Sequence, residues 1–165
     1  MNKFCRFGLF LFVVGFYFGV PRSIAYACTP PPGGLPSYSV ADHVNAAPIV
    51  LEGVVIATTG PYYPEAANIQ VVQYIKGNGP SIINVRGYGP SSVCLSSVSV
   101  GDHLLFYVGS DQNGYYAFYL SQFDAVASAD SQTITEAAAA SAQQPVYLYP
   151  PGPILTQVAL GQGDG

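Results

Sequence analysis

The hydrophobic pattern divides the chain into an apolar leader, a β-rich centre and a sparse end. From Phe7 to Val20 nearly every position is aliphatic or aromatic. Residues 28–37 (CTPPPGGLPS) follow as an arm in which the prolines forbid a helix. Ser39 and Asp42 approximate a capping box, so a short helix is predicted from there to about Ala46. Apolar and β-branched residues then gather in short runs bounded by Gly, Pro, Asn and Ser, which is the strand pattern. The runs are Ile49–Thr59, Ile69–Lys76, Ser81–Tyr88, His103–Val108 and Tyr115–Leu120. Gly53 marks a bulge or barrel bend, and Asn113-Gly114 signals a hairpin. Cys94 is expected in a short extended piece after the turn at Gly89–Ser92. Thr133-Ile-Thr-Glu136 reads as a capping box before AAAASAQQ, predicting a terminal helix within 129–144. Beyond it, residues 145–165 hold four prolines and four glycines and read as a loosely bound tail. Five short strands with short connections predict one mainly β, mostly antiparallel domain over 28–128.

The leader has its own logic. Lys3 and Arg6 precede the apolar run, Pro21 and Arg22 break it, and Ala25-Tyr26-Ala27 supplies a small-residue site. This is the tripartite form of a secretory signal peptide over 1–27, cut after Ala27. The run of about 14 residues is short of the roughly 20 that a spanning helix needs. A secreted protein, extracellular or periplasmic, is expected. A cysteine just after the cut can also carry lipid. Lipoprotein signals place Leu or a similar residue three before it, whereas Ala25 stands here with bulky Tyr26 after it. Membrane association is expected only if Cys28 is lipidated.

Removing the leader changes the charge. Of five basic residues only Lys76 and Arg86 remain, against nine acids, a net charge of about −7. Nucleic acids and anionic lipids attract clustered Lys and Arg, so neither partner is expected. Cys5 also leaves with the leader. Cys28 and Cys94 remain as an even pair in an oxidising compartment. If joined, they close about 67 residues, worth roughly 4 kcal/mol by loop entropy. That is a large share of a net stability of about 5–15 kcal/mol.

Candidate catalytic chemistry is thin. The chain has no G-x-S-x-G elbow, phosphate-binding glycine loop, H-E-x-x-H or C-x-x-C. His43 follows Asp42 and His103 follows Asp102, but neighbours point apart on a strand and lie about 100° apart on a helix. Both acids read as turn or cap residues and both histidines as surface groups. No catalytic residue, metal or cofactor is expected. Tyrosines are plentiful, and exposed tyrosines bind peptides and sugars at low entropic cost. Tyr62 and Tyr63, in a loop, are the candidate ligand contacts. In YYAFYL (115–120) one face should fill a barrel and the other face out.

A Cys at the mature N-terminus, a short helix and the strand V-L-E-G-V-V (50–55) form the first part of a familiar pattern. A strand ending Y-I-K-G (74–77) and a lone Cys94 before V-G-D-H-L-L-F-Y (100–107) complete it. This resembles the netrin-like superfamily, which includes tissue inhibitors of metalloproteinases and many bacterial secreted proteins. The resemblance covers roughly residues 28–124. It implies a five-stranded Greek-key OB-type barrel with a Cys28–Cys94 disulfide. With export, the cysteine pair, the acidic charge and the lack of catalytic motifs, the expectation is a secreted binding or interaction module for an extracellular protein rather than an enzyme. In the inhibitors the amine and carbonyl of the first cysteine chelate the target protease's zinc, and the next side chain enters its specificity pocket. The matching positions are Cys28 and Thr29, and an amine with a carbonyl oxygen suits the open position of a catalytic zinc. Metalloprotease inhibition is therefore the alternative reading. The sequence departs from that group at Pro30, where the inhibitors carry a second cysteine, and it lacks their further disulfides.

Overall fold

The computed structural model describes residues 28, 32–60 and 65–148. The segment 1–27 expected to be a signal peptide, Thr29, Tyr62, Tyr63 and the residues from 149 lie outside the described residues. The elements, in chain order, begin with α1 (Val40–Ala46), β1 (Ile49–Thr59), β2 (Ala66–Lys76) and β3 (Ile82–Arg86). A 3-10 turn (Ser91–Val93), β4 (His103–Asp111), β5 (Gly114–Ala117) and β6 (Val126–Ser128) follow. The last two are α2 (Ser131–Ser141) and β7 (Val146–Tyr147).

Strand order β1-β2-β3-β5-β4, with β4 returning to β1, closes a five-stranded barrel of the OB type. All its neighbours are antiparallel except β3 and β5, which run parallel through Val85–Tyr115 and Arg86–Tyr116. Two long strands have edges to spare. The edge of β2 that β3 leaves takes β7, pairing Gln73 with Tyr147 and Tyr74 with Val146. β6 occupies the part of β4 that β5 does not reach.

Alternation places Leu51 and Val55, Ile69 and Val71, Ile83 and Val85, and Phe106 and Val108 inside the barrel. On the outer face of β1, β2 and β4, Val50, Ile75, Leu105 and Tyr107 form a second cluster, covered by Val44 and Ala47 near α1 and by Ala137 of α2. Strands buried on both faces read as continuous apolar runs, which explains the unbroken H-L-L-F-Y-V of β4. The helices are held at their ends. Ser39 Oγ accepts from the Asp42 amide while the Asp42 carboxylate accepts from the Ser39 amide. Lys76 Nζ donates to the Val44 and Asn45 carbonyls at the C-terminal end of α1, at 2.6 and 3.1 Å.

β1 matches its predicted bounds, and Gly53 is the bend anticipated there. The β1–β2 register shifts at that residue. A Cβ on Gly53 would lie 2.5 Å from Ile69 Cγ2 and 2.9 Å from the Gln70 carbonyl oxygen. The glycine is required by close approach of the two backbones.

Several expectations are corrected. β2 begins three residues before the predicted Ile69, because Ala66–Asn68 still pair with both β1 and β3. β3 and β5 are shorter than the runs Ser81–Tyr88 and Tyr115–Leu120, since their parallel pairing covers only two positions. The hairpin turn is Gln112-Asn113, one residue earlier than expected, with Gly114 at φ +104° pairing Asp111. Asp111 Oδ1 accepts from the Asn113 amide at 2.8 Å, a side-chain turn that fixes this register. Cys94 is not extended but left-handed, at φ 65° after the 3-10 turn. α2 starts at Ser131, capped by Asp130, whose carboxylate accepts from the Thr133 amide at 2.8 Å. Thr133 is therefore the third residue of the helix rather than its cap. β6 was not foreseen, and Val146–Tyr147 join a sheet where the sequence suggested a loose tail.

Gly53→Ala should cost about 1–3 kcal/mol by overpacking, measurable as a lowered urea midpoint with unchanged slope. The caps should also make stability acid-sensitive. The Ser39 hydroxyl and amide hold the Asp42 carboxyl below its ordinary 3.8, and the Thr133 amide does so first for Asp130. Such a contribution is complete above the unfolded value, near pH 4, and is lost as pH falls through the lower folded values. Denaturation between pH 5 and about 2.5 should show that loss, and Asp130→Asn should flatten part of the slope.

Candidate interaction site at the disulfide edge

The bond expected between Cys28 and Cys94 is present. It fastens the N-terminal arm to the connection between β3 and β4. That connection is itself tightly held. The Val93 amide donates to the Pro90 carbonyl, Cys94 to Ser91, and Gly89 to Ser96. Cys28 Sγ rests 3.4 Å from the Ser91 carbonyl oxygen, a contact without hydrogen because the sulfur is oxidised.

The turn at 120–124, which follows β5, packs beside it. Asp124 folds this turn, accepting from the amides of Leu120 and Ser121 at 3.2 and 2.6 Å. The same carboxylate lies 3.0 Å from His43 Nε2, an approach whose angle falls short of a hydrogen bond. His43 comes from α1 and is 5% exposed. Its Nδ1 donates to the Ser39 carbonyl at 2.9 Å, since a carbonyl can only accept. Its ring stacks on Tyr107 with centroids 4.6 Å apart. Burial pushes the Tyr107 hydroxyl up to about 12, so that ring stays neutral. The expectation of surface histidines is thus wrong for His43, whose acid is Asp124 rather than neighbouring Asp42. His103 is one-third exposed and pairs with Glu52 across β1 at 2.8 Å, not with Asp102. Gln73 Nε2 donates to the other oxygen of Glu52. Asp102 does serve a turn, accepting from the Ser99 amide at 2.7 Å.

Phe123 is presented by that turn at φ 65°, in the same left-handed region as Cys94. The Phe123 amide reaches the Cys94 carbonyl at 3.4 Å. Two non-glycine residues in this region, one of them bulky, are therefore held side by side. Val93 and Phe123 are 50% and 39% exposed. The disulfide edge carries an apolar ridge with a fixed backbone.

On the far side of Leu95 lies a groove of about 590 Å³, lined by Glu65, Arg86, Leu95, Asp111, Tyr116 and Tyr119. It opens where β3 and β5 diverge after their two paired positions, over the small residues Gly87 and Ala117. Tyr119 ties the groove to the ridge. Its hydroxyl accepts from the Ser96 amide and donates to the Gly87 carbonyl, each at 2.9 Å. Arg86 Nη2 pairs with Asp111 Oδ2, and its guanidinium lies over the Tyr116 ring, 5.5 Å from the centroid. Within residues 115–120, Tyr115, Ala117 and Tyr119 contact the barrel core, while Phe118 joins the outer cluster under the helices. Alternate residues thus reach the core as expected, but the opposite face does not face out: Tyr116 and Phe118 are half-buried, and Phe118 packs under the helices.

Of the predicted site residues, the structure joins Cys28 and Cys94; Thr29, Tyr62 and Tyr63 fall outside the described residues. Sequence reasoning missed Val93, Phe123 and the groove. One signal was available: Arg86 is the only arginine after residue 22. No protein-family model matches the chain, and no curated protein matches its sequence.

Tyr119→Phe should leave the Ser96 amide and Gly87 carbonyl without their shared partner. The expected cost is about 1–3 kcal/mol. Faster hydrogen exchange at Ser96 than at β1 amides would locate the loss.

Proposed function

We propose that this chain is an exported binding module that engages a protein partner through the Val93–Phe123 ridge beside the Cys28–Cys94 disulfide. The observation that carries this reading is the pair of left-handed residues, Cys94 and Phe123, held in contact beneath exposed apolar side chains. Strained backbone costs on the order of 1–3 kcal/mol per residue and clusters where function needs a fixed shape. An anchor already rigid loses little entropy on docking, and exposed aromatic anchors carry much of the affinity of interfaces. The disulfide is compatible with an extracellular or periplasmic location. The leader pattern over 1–27 supports export. Neither the motifs nor the polar pairs around His43 and His103 supply an activated nucleophile, so binding is favoured over catalysis.

A second reading has one specific support. If the leader is cut after Ala27, the Cys28 amine is free and the disulfide holds it beside the ridge. That is the arrangement a metalloprotease inhibitor needs in order to chelate its target's zinc, with Thr29 entering the adjoining pocket.

Two experiments test these readings. Partners retained from extracellular fluid by the mature protein should be identified and their affinities measured. The double variant Val93→Ser/Phe123→Ser should bind them at least tenfold more weakly with an unchanged circular dichroism spectrum. Equal binding by parent and variant overturns the ridge. Against a panel of zinc endopeptidases, inhibition that one extra residue before Cys28 abolishes supports chelation. Absence of inhibition at micromolar protein removes it for that panel.

A further inference from the structure

The groove beside the ridge has a chemistry of its own. Beyond residue 22 the chain holds two cations, and the structure commits both internally. Lys76 closes the end of α1, and Arg86 is neutralised by Asp111. Glu65 stands on the same groove wall, exposed, and among the described residues its carboxylate has no ion pair. The groove therefore carries two carboxylates against one guanidinium.

That guanidinium is held in place. Tyr116 packs closely on its cross-strand partner Gly109 of β4, where a Cβ would come 2.3 Å from Tyr116 Cζ. The Arg86 guanidinium lies over the ring of this closely packed tyrosine, 5.5 Å from its centroid, and is paired to Asp111. Asp111 is fixed as well, one oxygen on Arg86 and the other on the Asn113 amide. The Asp111 carboxylate does not have to be ordered when a ligand arrives. Leu95 and the Tyr119 ring add apolar surface suited to an aliphatic stem.

We propose that this groove accepts a lysine or arginine side chain presented by a polypeptide partner. The cationic head meets Glu65 and the outer lone pairs of Asp111, as charge-assisted hydrogen bonds. The stem lies on Leu95 and the tyrosine rings. A net charge of about −7 after the leader draws such a segment in. A polypeptide fits better than a free polyamine because Leu95 connects the groove to the apolar ridge, which has no use for a second ammonium. The assignment rests on reading this end of the barrel as the interaction site, and it adds the chemistry of the partner.

The probes are capped pentapeptides with a central lysine, arginine, norleucine or glutamate between leucines, together with spermidine. They are titrated into the mature protein and followed by amide chemical shifts. Lysine and arginine peptides should bind at least tenfold more tightly than the norleucine and glutamate peptides, shifting Gly87, Leu95 and Ala117. Glu65→Gln should weaken the lysine peptide about tenfold and added salt should weaken it further. The backbone of Glu65 makes the hydrogen bonds there, to Thr59 and Gly87, so the variant keeps the fold. Glu65→Gln reports on the groove and Val93→Ser/Phe123→Ser on retention of the partner, so failure of the groove is distinguished from failure of the ridge. Equal binding of the lysine and norleucine peptides, or indifference to Glu65→Gln, overturns the proposal. Spermidine binding as tightly as the lysine peptide overturns the polypeptide assignment.

Discussion

Hydrogen bonding along both edges of β1 is the constraint from which the rest of the molecule follows. A strand paired on one side to β2 and on the other to β4 has no free edge, and its two neighbours must curve toward each other. Gly53 permits the curve by letting the β2 backbone approach where any side chain would collide. Once the barrel closes, β1, β2 and β4 each keep an outer apolar face that water would penalise. α1 and α2 cover that face, so the helices serve the strands rather than organise them. Closure also leaves β3 and β5 joined over only two positions, and their divergence opens the groove.

A line of contacts runs from the covered face to the ridge. His43 sits on Tyr107 beneath α1 and faces Asp124. Asp124 folds the turn that holds Phe123 in its left-handed conformation, and Phe123 touches Cys94 through the backbone. Strain at the surface is thus held from the interior. This gives the buried histidine a positioning role that its neighbour in sequence, Asp42, would not suggest.

Much of this architecture was legible in the sequence because it rests on local rules. The bounds of β1, the bend at Gly53 and the capping box at Ser39 follow from residue type and spacing, and the family resemblance implied the pairing of Cys28 with Cys94. What was not legible depends on distance in the chain. Asp130 outcompetes Thr133 as a cap because its carboxylate reaches the Thr133 amide, and both choices satisfy the local pattern. Cys94 was expected to be extended because nothing local requires a left-handed cysteine; a disulfide and a 3-10 turn impose it. The partners of His43 and His103 lie 81 and 51 positions away, so adjacency to aspartates was misleading. The groove is assembled from four separate segments, and only the lone arginine hinted at it.

The commitment of Lys76 and Arg86 also bears on resistance to proteolysis. After residue 22, trypsin-like proteases have only the bonds Lys76–Gly77 and Arg86–Gly87 to attack. Cleavage requires the basic side chain to leave the protein and enter the enzyme's specificity pocket on an unpaired stretch of backbone. Here one side chain is buttoned onto a helix end and the other is clasped between a carboxylate and a ring. Both bonds lie at the ends of barrel strands. Digestion by that class of enzyme must wait for the barrel to open, so the same scarcity of cations that gives the protein its acidic surface also hardens it against hydrolysis.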